Sequence, residues 1–241
     1  MIKRAFTGND TIGSVVAADY KTSTVFYRHD IDFCCKGDKK IGDVCSVRKI
    51  DPEALLAEVN EILAEDEGKT DPAGLPLDQL VHYIVDVHHR YVNNHIPVIM
   101  EFLNKLCSVH GNTHPELFDV YHLFEQGAQH LLQHMKKEEQ VLFPMINNLV
   151  IEKNEGRRPA DLPYSTQMPI RMMRKEHETE GNRFALIAEV TDHYTVPADG
   201  CTTFKATYAL LKQFEKDLHR HIHLENNVLF PAALQMEEYE S

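Results

Sequence analysis

His134-x-x-x-Glu138-x-x-Val141-Leu142-Phe143-Pro144 recurs as His221-x-x-x-Glu225-x-x-Val228-Leu229-Phe230-Pro231. Each copy lies in a long stretch of helical apolar spacing, which puts an imidazole and a carboxylate one turn apart on one helix face. Each then meets a proline, which predicts a helix end or kink. A histidine–carboxylate pair supplied from two helices is what a two-metal site inside a helix bundle requires. A solitary His-x-x-x-Glu is more often a solvated pair. Two copies followed by the same four residues favour a metal site over a duplicated hairpin kept for packing.

Outward from the repeat, apolar spacing predicts four long helices over residues 77–109, 115–149, 164–193 and 199–237. Kinks or short breaks are expected at Pro144 and Pro231. Ahead of them, Thr11 is expected to cap a short helix through Tyr20, and Thr22 a second through His29. Asp51-Pro52-Glu53 opens another helix, expected to reach Glu65. Residues 68–76 read as a linker, and 150–164 as an exposed connector. No β-hairpin signal competes. The fold class is therefore all-α: an up-down-up-down four-helix bundle over 77–241, preceded by a small helical domain over 1–67.

Composition excludes several functions. Hydrophobic residues make up 43% of the 241, enough for a core, but no apolar run approaches a membrane span. A net charge of −12 with no basic stripe argues against nucleic acid. Five cysteines, two of them adjacent, do not resemble a secreted disulfide framework. With no apolar leader after Met1-Ile2-Lys3-Arg4, the cytoplasm is the expected compartment. The 15 histidines exceed what any one metal centre can use, so most are incidental.

A bundle site is built at one level from all four helices. The second offers His134 and Glu138, and the fourth His221 and Glu225. In the third, His177 is interior and the natural choice, while the first offers His82, His88, His89, His95 and His110. Four imidazoles and two carboxylates give two metals two histidines each, with both carboxylates free to bridge. Such oxygen and nitrogen ligands suit iron or manganese better than zinc.

At these residues the chain resembles the repair-of-iron-centres family of hemerythrin-like proteins. Tyr27-Arg28-His29-Asp30-Ile31-Asp32-Phe33-Cys34-Cys35-Lys36-Gly37 is similar to the family's N-terminal Cys-Cys motif. The two repeat copies, Lys175-Glu176-His177-Glu178 and Cys201-Thr202-Thr203-Phe204-Lys205 match its bundle, in order, over nearly the whole chain. The resemblance implies a non-haem di-iron centre, oxo- and carboxylate-bridged. Its ligands would be His89, His134, Glu138, His177, His221 and Glu225, with His89 rather than the adjacent His88 in the first-helix role. His110 also aligns with a family histidine. It lies about 30 Å along a continuous helix from His89, at about 1.5 Å per residue, so it is left out of the metal shell.

The implied function is repair of iron–sulfur clusters after nitrosative or oxidative damage. Iron would be donated and nitric oxide handled, with Cys34 and Cys35 as relay and damaged iron–sulfur proteins as clients. Lys36 stands where the family commonly has glycine, and a cation beside the thiols is expected to favour thiolate. Gly37 retains a permissive turn position. Cys45, Cys107 and Cys201 are expected to be buried small apolar residues. The N-terminal unit could mediate self-association as a homodimer. The alternatives are a hemerythrin-type sensor of O2, NO or redox state, and a metal-free interaction bundle.

Overall fold

The structure is a computed structural model describing residues 6–64, 71–157 and 162–238. The first four helices are short: α1 (Ile12–Ala18), α2 (Ser23–Arg28), α3 (Ile41–Arg48) and α4 (Pro52–Ala64). Thr11 caps α1 as expected, its side chain accepting from Ser14 N. Extended backbone at Asp19 (φ −158°) then stops the helix two residues before Tyr20. Thr22 does not cap α2; its hydroxyl bonds back to the Asp19 carbonyl at 2.7 Å. Helix α3 is unannounced by spacing, because it buries only Ile41 and Cys45. Glu65 and most of the expected linker lie outside the described residues, as does part of the 150–164 connector.

Four long helices follow. Helix α5 runs through Leu77–Tyr83, a π-helical stretch Ile84–His89 and Arg90–His110. Helix α6 joins Glu116–Lys137, the π stretch Glu138–Leu142 and Phe143–Asn154. Helix α7 is Gln167–Val190, and α8 joins Thr202–Leu224, the π stretch Glu225–Leu229 and Phe230–Glu237. In sequence α5 packs on α6, α6 on α7 and α7 on α8, and α8 returns to α5, closing the bundle. Among the described residues no helix is long and apolar enough to cross a membrane.

The prolines do not break their helices. A proline has no N–H to give the carbonyl four residues back. At Pro144 and Pro231 the helix meets this by widening into a π turn just upstream, which accommodates one extra residue. Helix α7 also ends earlier than expected. Asp192, His193 and Tyr194 all take left-handed backbone (φ 47°, 52° and 64°), which closes the helix three residues short of His193.

Two apolar cores result. One fills a half of the bundle and continues into the N-terminal helices, running from Val15, Phe26 and Val59 to Leu103, Leu131 and Leu218. The other, around Ile84, Leu142, Phe143, Met173 and Leu229, closes the opposite half. Along each long helix, the residues between these cores are the histidines and carboxylates singled out above. Within the larger core Phe124, Phe184 and Phe214, each 1% exposed, pack with ring centroids 5.2–6.2 Å apart. Phe214→Ala is expected to cost about 3–5 kcal/mol in urea unfolding; a loss under about 1 kcal/mol would show that these rings are not close-packed.

Candidate metal centre

The three π turns each carry a residue of the polar layer: His89 in α5, Glu138 in α6 and Glu225 in α8. Helix α7 contributes His177 from regular helix. His134 Nε2 lies 3.2 Å from Glu138 Oε1, and His221 Nε2 lies 3.1 Å from Glu225 Oε1. The second oxygen of each carboxylate reaches a neighbouring helix: Glu138 Oε2 is 3.4 Å from His89 Nε2, and Glu225 Oε2 is 3.0 Å from His177 Nε2. Two overlapping groups form. His89, Glu138, His221 and Glu225 make one, and His134, Glu138, His177 and Glu225 the other, each with ligand atoms within 4.8 Å of one another. None of the six residues is more than 3% exposed.

The polar accounting fits a pair of cations. The oxygens of Glu138 and Glu225 face the layer's Nε2 atoms at 3.0–3.4 Å, but among the described residues none of them, nor His89 Nε2 or His221 Nε2, makes a hydrogen bond of good geometry. Such groups cost about 1–3 kcal/mol apiece when left unsatisfied. Cations shared between the two groups would satisfy all of them, and imidazole and carboxylate are donors suited to iron.

Two family models cover most of the chain. The hemerythrin HHE cation-binding domain matches residues 80–233, and the ScdA N-terminal model, described as a domain of unknown function (DUF542), matches 8–63. Proteins named iron-sulfur cluster repair protein YtfE, from Yersinia pseudotuberculosis (strain IP 31758) and Yersinia pestis (strain Pestoides F), are each 30% identical over 229 residues. The match spans 95% of this chain and 98% of theirs. The chain belongs to the repair-of-iron-centres family.

Around this family's cation-binding layer lies a ring of supports that sequence reasoning missed. The residue after each repeat carboxylate turns to the adjacent helix. Glu139 accepts from His89 Nδ1 at 2.8 Å, and Asn226 from His177 Nδ1 at 2.9 Å. The residue before His177, Glu176, accepts from His134 Nδ1 at 2.9 Å. Its counterpart before His89 is His88, which instead stacks on His221 and pairs its own Nδ1 with Asp217 at 3.0 Å. Among the described residues His221 Nδ1 has no hydrogen-bond partner. Supports of this kind fix imidazole orientation and raise its basicity. Their signal was available: each lies next in sequence to an expected ligand.

The two repeat histidines consequently differ. Burial alone lowers the pKa of His134, but Glu138 and Glu176 outweigh it and the value rises to about 10. In His221 burial prevails over Glu225 and the value falls.

The Cys-Cys loop is seated on this layer. Cys35 Sγ donates to the carbonyl of His177 at 3.4 Å, and Asn227 Nδ2 donates to the carbonyl of Phe33 at 3.1 Å. Asp32 gathers the loop, accepting from Cys34 N at 3.1 Å, Cys35 N at 2.9 Å and Cys34 Sγ at 3.4 Å. Asp32, Cys34 and Cys35 form a third compact cluster of metal-ligand atoms.

Three expectations are corrected. Lys36 is exposed and does not set the thiol chemistry; Cys35, burial and Asp32 push the Cys34 pKa well up, favouring the thiol. Gly37 is needed for closeness, not for a left-handed turn. A Cβ there would lie within 3.0 Å of both Asn227 and the Phe33 carbonyl, and among the described glycines only Gly156 has positive φ. Cys201 is exposed rather than buried, because it precedes α8 at the bundle end, where His110 Nε2 meets its sulfur at 3.2 Å. His110 thus sits with Cys201, away from the buried layer, while Cys45 and Cys107 are buried as expected.

Metal ligation requires neutral imidazole. His134, holding its proton up to about 10, must release it on metal uptake. Ferrous-iron affinity is therefore expected to fall about tenfold per pH unit on acidification from about pH 8 to 6 for each proton displaced. Calorimetry in buffers of different ionisation enthalpy measures that release; uptake without protons would contradict it.

Proposed function

We propose that this chain repairs damaged iron–sulfur clusters by donating iron from a di-iron centre. His89 and His221 would hold one iron, His134 and His177 the other, with Glu138, Glu225 and an oxide as bridges. Such a centre would supply iron and an affinity for nitric oxide or O2. The iron released to a client is the substrate of this chemistry. The chain's own residues do the rest: the two apolar cores exclude bulk water, while Glu139, Glu176 and Asn226 hold three of the four imidazoles in place.

The observation that carries this reading is the seat of Cys35 on the backbone of His177. It brings a dithiol, with Sγ atoms 3.8 Å apart and Asp32 beside them, against a helix that presents an iron ligand. The cluster suits transfer because Cys34 rests as a buried thiol and ionises when it takes a metal ion. Retaining these five free thiols suits a reducing compartment such as the cytoplasm. The relatives named for iron–sulfur cluster repair support the same conclusion. A simple O2 carrier has no need for a dithiol docked on a ligand helix.

Mössbauer spectroscopy of anaerobically loaded wild-type protein is expected to show an antiferromagnetically coupled iron pair, lost in Glu138→Ala. An unchanged signal in that variant would sink the bridging role. Replacing Cys34 and Cys35 with serine is expected to leave iron content intact and abolish recovery of cluster absorbance in a nitric-oxide-damaged iron–sulfur protein. Undiminished recovery would remove the thiols from the pathway.

A further inference from the structure

The two repeat copies diverge at one position that matters chemically. After the repeat carboxylate the first copy has Glu139, and the second has Asn226. Both side chains support the histidine of the adjacent helix, His89 and His177 respectively. A carboxylate would serve His177 equally well as an acceptor. The amide, however, has a second end, and its Nδ2 donates to the carbonyl of Cys34 at 3.2 Å.

The hydrogen-bond directions are forced. The Cys34 carbonyl can only accept, so the Asn226 nitrogen must face it. The Asn226 oxygen then faces His177 and can only accept, so His177 carries its proton on Nδ1 and turns Nε2 to the buried layer. Residue 226 is 9% exposed, and its backbone carbonyl accepts from Arg174 at 3.2 Å. Asn227 Nδ2 also approaches the Cys34 carbonyl, at 3.5 Å, and Cys35 Sγ reaches the His177 backbone, but Asn226 is the side chain that joins the loop to an imidazole of the buried layer. No equivalent link reaches His89: its support, Glu139, is 43% exposed and accepts only.

We propose that Asn226 is a positioning residue that couples the Cys34–Cys35 loop to the metal held by His134 and His177, making that iron the one delivered. This rests on the iron-donation reading above. When the thiols take up a ligand, the Cys34 carbonyl shifts and the amide shifts with it. His177 then loses its orienting acceptor, and its iron is held less firmly than the iron on His89 and His221. Asparagine suits this point because its amide gives the neighbouring carbonyl its shorter donor and the imidazole its acceptor.

The test uses the full-length iron-loaded protein and phenylarsine oxide, a trivalent arsenical that caps paired thiols and leaves the isolated Cys201 unbridged. Iron loss to a ferrous chelator is followed by stopped flow, and the iron remaining by Mössbauer spectroscopy. In wild type the arsenical is expected to accelerate loss of one iron of the two by about tenfold, within the range typical of outer-shell supports. In Asn226→Asp, which retains the acceptor for His177 but not the donor for Cys34, the arsenical is expected to change neither rate. An arsenical response in that variant equal to wild type would overturn the proposal. So would wild-type protein whose two irons respond alike or not at all, a result that needs no variant to fold. Wild-type protein holding fewer than two irons would overturn the di-iron reading itself, and is distinguishable from both.

Discussion

The constraint on which this structure depends is the cost of placing four imidazoles and two carboxylates in a layer sealed by apolar cores on both sides. Two carboxylates that share a buried site repel each other, and burial opposes the charge on each. The protein answers with geometry. Each carboxylate directs one oxygen to the histidine a turn before it and the other to a neighbouring helix, so charge is met from two directions. The remaining deficit is what a cation would supply, which would make metal binding part of the folding energetics.

The same constraint explains the form of the helices. In α6 and α8 the histidine is the last turn of regular helix before the π stretch, and the carboxylate opens that stretch. In α5 the π stretch ends on His89. Wide turns cost regular hydrogen bonding and are tolerated where function requires a particular side-chain direction. Helix α7 carries no π stretch and gives His177 from regular helix, its orientation set from outside by Asn226.

Much of this was legible in the sequence. The doubled motif and the helical spacing foretold four long helices and the residues that meet between them, and Asp51-Pro52 marked a true helix start. What was not legible depends on tertiary contact. A proline signals a missing hydrogen bond, and only packing decides whether the helix kinks, ends or widens. Cys201 and Cys107 look alike as residues, but one precedes a helix at the bundle surface and the other lies in the core. The cation of Lys36 suggested a thiolate, whereas the loop turns Lys36 to solvent and Cys34 inward. The supports Glu139, Glu176 and Asn226 were visible as neighbours of ligands, but their targets lie on other helices.

The π turns also bear on descent. Each widened turn accommodates one residue beyond the regular count, so the apolar stripe before it and the stripe after it are out of phase by about one residue's rotation, roughly 100°. Substituting the histidines and carboxylates could extinguish the centre without removing those extra residues. Deleting one would rotate the whole outer end of its helix and expose Phe143 or Phe230, both now buried. A descendant that had lost its metal would therefore keep the phase slips as a fossil, readable in the spacing of its leucines after every ligand had gone.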